Sequence, residues 1–167
     1  MKKAIATILI SVLALALQAQ DSARVVRVID GDTYVLQTAQ KTFTARLANV
    51  DAPELKQHWG TTARSRMILM LLGKYVRYDS TGTDRYKRTL VNIWVNGARL
   101  DSSAIRNGWA WHYTNYSYDA MLASCQTSAI NERVGLWACG AAAVCPPWLF
   151  RHYNYRNKLK YCQGCNL

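Results

Sequence analysis

Acidic residues are scarce in this chain. Asp and Glu together number 10 in 167 residues, against 21 Lys and Arg, for a formal net charge of +11. A surface that repels anions is thereby excluded, and the positive field favours an anionic partner, nucleic acid or membrane phosphate. Internal repeats, low-complexity tracts and linkers are missing too. The length allows one domain with a proper core and not two ordinary ones. Hydrophobic residues make up 50% and aromatics 11% of the chain, which excludes a disordered polybasic tail protein. Only one long apolar run exists, so there is no second candidate membrane span. Cysteine is absent near that run, which leaves a lipid anchor there without an attachment point.

The single run lies at residues 4–17, AIATILISVLALAL, after Met1, Lys2 and Lys3 and before a small-residue exit. This is the layout of a secretory signal peptide, cleaved after Ala16 or Ala19. The run is too short to span a bilayer comfortably. A buried N-terminal helix is the plain alternative. The expected organisation is a leader over 1–19, a domain over 20–151 and a basic, Cys-containing tail over 152–167, in a periplasmic or secreted bacterial protein. Without Lys2 and Lys3 the net charge is +9.

All five cysteines, Cys125, Cys139, Cys145, Cys162 and Cys165, fall in the last third. Export permits disulfides, and Cys139, Cys145, Cys162 and Cys165 are the candidates. Cys139 and Cys145 bracket a short loop rich in Ala and Gly, and Cys162 and Cys165 form a CxxC. Several connectivities stay open. A redox-active CxxC belongs at a helix start after a strand, a context missing here. Zinc would need further ligands, and His112 and His152 are poorly spaced for it.

Period-two alternation predicts strands over 24–29, 33–38 and 41–48, then strands over 74–79 and 88–95. Residues 49–59 read as a loop, and 80–87 as a turn-rich one. Helices are predicted over 60–72, 99–107 and 119–134, ended by Gly73, Gly108 and Gly135. The remainder, with Pro146-Pro147 and many tyrosines, reads as a packed but irregular tail. Short strands curled by hairpins suggest a small five-stranded barrel with helices outside. Periodicity alone leaves a generic α+β fold equally open.

Four of the few carboxylates sit in two short motifs, Asp30 and Asp32 in IDGDT and Asp51 and Glu54 in NVDAPE. Clustered carboxylates in a basic protein make sense where they hold a cation. A hard metal such as calcium takes carboxylate, carbonyl and water oxygens. The plain alternative is that Asp30-Gly31-Asp32 is merely a turn and Asp51 merely a loop residue. Arg46 lies on the predicted strand feeding the DAPE loop, and Arg88 opens the predicted strand after the TDRYK loop. Two guanidinium groups near a metal would clamp a phosphodiester and neutralise its developing charge.

IDGDT, RLANVDAPE, the DRYKR loop and the late GLW…PPW…R together resemble the thermonuclease family, of which staphylococcal nuclease is the best-known member. The match covers roughly residues 24 to 151. The resemblance implies a five-stranded oligonucleotide-binding-type barrel packed with three helices. It also implies calcium-dependent hydrolysis of DNA and RNA, without strong sequence preference, to 3′-phosphate products. One Ca²⁺ would be held by Asp32, Asp51 and the backbone carbonyl of Ala52, with Asp30 behind them. Glu54 would orient or deprotonate the attacking water. Arg46 and Arg88 would bind the scissile phosphate, Arg88 also stabilising the leaving group. Two departures stand out: Lys87 where the family usually has Gly, and Ala52 where it often has Thr.

Tyr113 and Tyr116, with Tyr118 nearby, fall where the family places ring-stacking tyrosines. Packing against the barrel is the alternative for them. Trp137, Trp148, Pro146 and Pro147 read as a structural latch. The tail after Arg151 has no carboxylate and adds Arg156, Lys158 and Lys160. It is either solvated or an added nucleic-acid contact tethered by Cys162 or Cys165. A noncatalytic nucleic-acid-binding module of the same fold is the competing class. An envelope-stabilising structural protein is a third. Neither explains why Asp32, Asp51 and Glu54 accompany Arg46 and Arg88.

Overall fold

The computed structural model describes residues 21–164. The expected leader at 1–19 and Cys165 lie outside the described residues. Alternation sets the sheet: β1 (Ser22–Val28) buries Ala23, Val25 and Val28 and turns its arginines outward. β1 pairs antiparallel with β2 (Thr33–Gln37), and β2 with β3 (Thr42–Leu47). On its other edge β1 meets β5 (Tyr75–Thr83), which pairs with β6 (Thr89–Val95). A parallel pairing of β3 with β6, Arg46 opposite Leu90, closes the five strands into the expected barrel. Val25, Tyr34, Leu36, Ala45, Leu47, Val91 and Ile93 fill it.

Three two-residue strands were too short for periodicity to find. β4 (Val50–Asp51) pairs with β8 (Trp111–His112) in a separate ladder, and β7 (Ala98–Arg99) folds back on β6. The β6–β7 turn, Asn96-Gly97, uses positive φ at both residues, as its sequence predicts. β5 also runs past its predicted end to Thr83. Its ladder with β6 resumes after an irregularity between Ser80 and Gly82, so part of the predicted loop is strand.

α1 (Gly60–Leu71) buries Ala63, Met67 and Leu71, a four-residue spacing that lays one face on the barrel. α2 (Leu100–Arg106) packs on β6, and α3 (Ala120–Asn131) packs on α2. The Asp119 side chain caps α3 by accepting from the Met121 and Leu122 N–H groups. α3 stops three residues before the predicted end, where Arg133 turns to a φ of 54°. The C-terminal segment corrects the expectation of an irregular tail. It forms α4 (Pro147–His152), with Pro tolerated in the first turn, and α5 (Tyr155–Tyr161), capped by the Asn154 side chain. Neither helix is long enough to announce itself by periodicity.

Cys145 pairs with Cys162 and thereby fastens α4 and α5. Cys139 is also disulfide-bonded, and Cys125 is a free thiol. Trp137 is fully buried in a second small cluster with Ala129 and Leu136. Trp148 packs edge-on against Trp111, so the latch reading of the two tryptophans holds. Among the described residues no helix is long and apolar enough to cross a membrane.

Candidate active site

The predicted site residues converge at one end of the barrel. Asp32 sits in the β1–β2 turn and Asp51 on β4; both are buried. Arg46, on β3, reaches both. Its Nη1 lies 2.7 Å from Asp32 Oδ2 and its Nη2 2.9 Å from Asp51 Oδ1. One guanidinium thus holds two carboxylates that the sequence separates by 19 residues. Asp32 Oδ2 also accepts the Ala52 N–H at 2.7 Å, and Oδ1 accepts the Thr33 hydroxyl at 3.0 Å. Gly31 makes this close approach feasible, because a Cβ there would lie 2.6 Å from that of Ala52.

Glu54 follows in the same loop. Its N–H donates to Gln57 Oε1, and the start of α1 presses against its backbone. A Cβ on Gly60 would stand only 1.9 Å from the Glu54 carbonyl oxygen, so glycine is needed there. Arg88 immediately precedes β6 and forks onto Asp84 at 2.7 Å through both Nε and Nη2. Its Nη1 donates to Thr33 Oγ1 at 3.3 Å, one hydrogen bond from Asp32. Arg46, Arg88, Asp32, Asp51, Ala52 and Glu54 therefore belong to one constellation, with Asp30 behind it.

Sequence reasoning missed Arg151 as a partner of these groups. Its Nη2 lies 2.8 Å from Asp51 Oδ2 and its Nη1 2.8 Å from Glu54 Oε1. Its separation of about a hundred residues leaves no local pattern to read. The only hint is its place at the end of the PPW…R stretch. Asp84 and Gln57 were likewise missed, as short-range partners without a motif of their own.

Burial is the first influence on the acids of this cluster. Burial, and then the Asp32 charge, push the Asp30 carboxyl up to about 7. Burial also raises Asp51, against the opposing hydrogen bonds of Arg151. Burial works against the Arg46 charge, but Asp32 and Asp51 outweigh it and raise its pKa. No three His, Cys, Asp or Glu side chains among the described residues form a metal cluster. The available donors are two carboxylates and peptide oxygen. Such hard donors suit a cation that keeps much of its water, not a thiophilic metal. Two buried carboxylates brought together by one guanidinium, with the Asp30 carboxyl beside them pushed upward, are compatible with an added positive charge.

A pH prediction follows from Asp30. A carboxyl whose pKa is raised on folding favours the fold while protonated. That contribution is full below 3.8, its ordinary value, and is lost as pH rises through about 7. In metal-free buffer, urea midpoints of the Asp30→Asn variant should fall less between pH 4 and pH 8 than those of the parent. Parallel curves would remove Asp30 as the cause.

The tyrosines divide. Tyr113 stacks on Trp148, with centroids 5.7 Å apart and planes at 16°, and leans on Tyr116 at 4.8 Å. Its faces are largely used internally. Tyr116 is 75% exposed. It borders an open groove of about 480 Å³ with Leu90, Trp94 and Arg99. Tyr118 is exposed as well. His112 is buried, its Nε2 3.1 Å from Ser117 Oγ, and burial holds its pKa down. It makes no metal cluster.

The family described as Staphylococcal nuclease homologue matches residues 44–139. An uncharacterized endonuclease of Escherichia coli is 38% identical over 130 residues, covering 77% of this chain and 84% of its own length. An uncharacterized endonuclease of Haemophilus influenzae is 33% identical over 132 residues, covering 78% of this chain and 74% of its own. A protein named micrococcal nuclease in Shigella flexneri is 29% identical over 160 residues, covering 89% and 91%. The closed five-stranded barrel, the four ordered motifs and these likenesses agree: the chain belongs to the staphylococcal nuclease homologue family.

Proposed function

We propose that this protein is an exported, calcium-dependent nuclease that hydrolyses phosphodiester bonds of DNA and RNA without strong sequence preference. The observation that carries the reading is the convergence of Asp32, Asp51 and Glu54 with Arg46, Arg88 and Arg151 at one barrel end. A binding-only barrel gains nothing from Glu54 and two buried carboxylates there. The names of the relatives point the same way. The leader at 1–19 and the oxidised cysteines support export, to the periplasm or the medium.

Asp32, Asp51 and the Ala52 carbonyl would hold one Ca²⁺. When bound, that ion supplies Lewis acidity and a template for the phosphate. The chain's own groups do the rest. Glu54 takes a proton from the attacking water, whose oxygen forms the new bond to phosphorus. Arg46 and Arg88 bind the phosphoryl oxygens and offset the charge that develops on them. The P–O5′ bond breaks, Arg88 would offset the charge on the departing 5′ oxygen, and that oxygen takes a proton from solvent water while Glu54 returns its own to solvent. The products are a 3′-phosphate and a 5′-hydroxyl. Tyr116 offers an open ring on which any base can stack, with Tyr113 supporting it.

The test is digestion of plasmid DNA and total RNA by the purified mature protein. Cleavage of both with calcium, abolished by chelator and restored by excess calcium, is the expected outcome. No cleavage under either condition would leave the noncatalytic binding module in its place. The basic residues of α5, Arg156, Lys158 and Lys160, would add phosphate contacts. Replacing Arg156, Lys158 and Lys160 with Ala, which leaves the Cys145–Cys162 disulfide in place, should then flatten the log–log salt dependence of oligonucleotide binding. An unchanged slope would make that segment a solvated one.

A further inference from the structure

One side chain enters the carboxylate cluster from the far end of the chain. Arg151 stands in the last turn of α4, 100 residues from Asp51 and 97 from Glu54. Its Nη1 donates to Asp51 Oδ1 at 3.1 Å and to Glu54 Oε1 at 2.8 Å, and its Nη2 to Asp51 Oδ2 at 2.8 Å. One planar guanidinium therefore sets the spacing between the two carboxylates. A lysine ammonium, a compact point charge, has no such fork.

The segment that delivers Arg151 is built onto the site. The Cys145–Cys162 disulfide closes the loop that contains α4. Trp148 packs against Trp111 and Tyr113. Trp111 in turn stands opposite Asp51 in the β4–β8 ladder. Gln57 is buried and joins both sides. Its Oε1 accepts the Glu54 N–H, and its Nε2 donates to the Cys145 carbonyl. Three fastenings converge on the loop that carries Asp51 and Glu54. The Arg151 side chain itself remains 39% exposed, as does that of Glu54, so the pair faces the open side of the site.

We propose that Arg151 is a positioning residue of this site, whose fork holds the Glu54 carboxylate at a set place relative to Asp51. Glu54 then meets the attacking water in one orientation instead of sweeping through several rotamers. The inference rests on the nuclease reading. Arg151 acts through Glu54, so its effect should disappear when Glu54 can no longer take a proton.

A double-mutant cycle tests this in the full-length mature protein. Steady-state hydrolysis of a short single-stranded DNA is measured at saturating calcium for the parent, Arg151→Met, Glu54→Gln and the double variant. Calcium affinity is measured separately by calorimetry without DNA. Arg151→Met should lower kcat by about 10- to 100-fold, the scale of a misplaced catalytic group, with KM changed by less than about 3-fold. Calcium affinity should stay within about 3-fold, and Arg151→Lys should recover only part of kcat. In the Glu54→Gln background the further loss should shrink below about 2-fold. An equal loss in both backgrounds would overturn the inference, as would an activity loss that follows a loss of calcium affinity, or no loss at all. If Arg151→Met does not fold, Arg151→Lys runs through the same cycle. An inactive parent would condemn the nuclease reading; an active parent with an additive cycle condemns only the role of Arg151.

Discussion

Replacing Arg46 with Met should destabilise the protein by about 3–5 kcal/mol at neutral pH, the cost of leaving buried charge without its partner. Arg46 is 9% exposed and lies between Asp32 at 5% and Asp51 at 1%. Its removal strips Asp32 of its ion pair and leaves Asp51 with Arg151 alone. Urea denaturation of parent and variant measures the difference. The loss should shrink as pH falls, because the orphaned carboxylates then take up protons. Arg46→Lys should lose less, since charge remains but one ammonium cannot bridge both acids with the same fork. A loss below about 1 kcal/mol in Arg46→Met would mean that Arg46 is not the tie between the two motifs. Hydrolysis should fall with it, since the same guanidinium is proposed to meet the phosphate.

Replacing Glu54 with Gln should lower kcat by about 10²- to 10⁴-fold, the usual contribution of a positioned general base. The substitution keeps shape and an acceptor oxygen for Arg151, so the Arg151 hydrogen bond at 2.8 Å can persist. Glu54 is only partly buried, and stability should change by no more than about 0.5 kcal/mol. Calcium affinity by calorimetry should be nearly unchanged. An equal fall in calcium affinity and in kcat would move Glu54 from base to metal ligand. Arg88→Lys should also slow hydrolysis strongly, since it loses the fork on Asp84 that aims the group toward Thr33 and Asp32.

Much of the site was legible because its members carry motifs. Asp32 and Asp51 lie in short sequence motifs in a chain where carboxylates are otherwise rare. Arg46 sits on a strand with clear alternation, and Arg88 stands just before another, so both were placed once the barrel closed. Periodicity could not find β4 or β8, each two residues long, although Asp51 is held by their ladder. It could not find α4 or α5 either, because a helix of six or seven residues completes too few turns to show an apolar stripe. The tyrosines were equivalent in sequence. Packing separates them: Trp148 covers Tyr113 and leaves Tyr116 open.

By itself the sequence determined a strongly basic chain of short alternating strands and a few helices, with its scarce carboxylates grouped in two motifs. Apolar alternation and turn residues act over a few positions, and scarce acids grouped in two motifs stand out against 21 basic residues. Only the tertiary structure decided that Cys145 pairs with Cys162 and that the segment they fasten brings Arg151 onto Asp51 and Glu54. Such pairings depend on where barrel closure and side-chain packing leave distant backbone segments. No local propensity encodes a contact across a hundred residues.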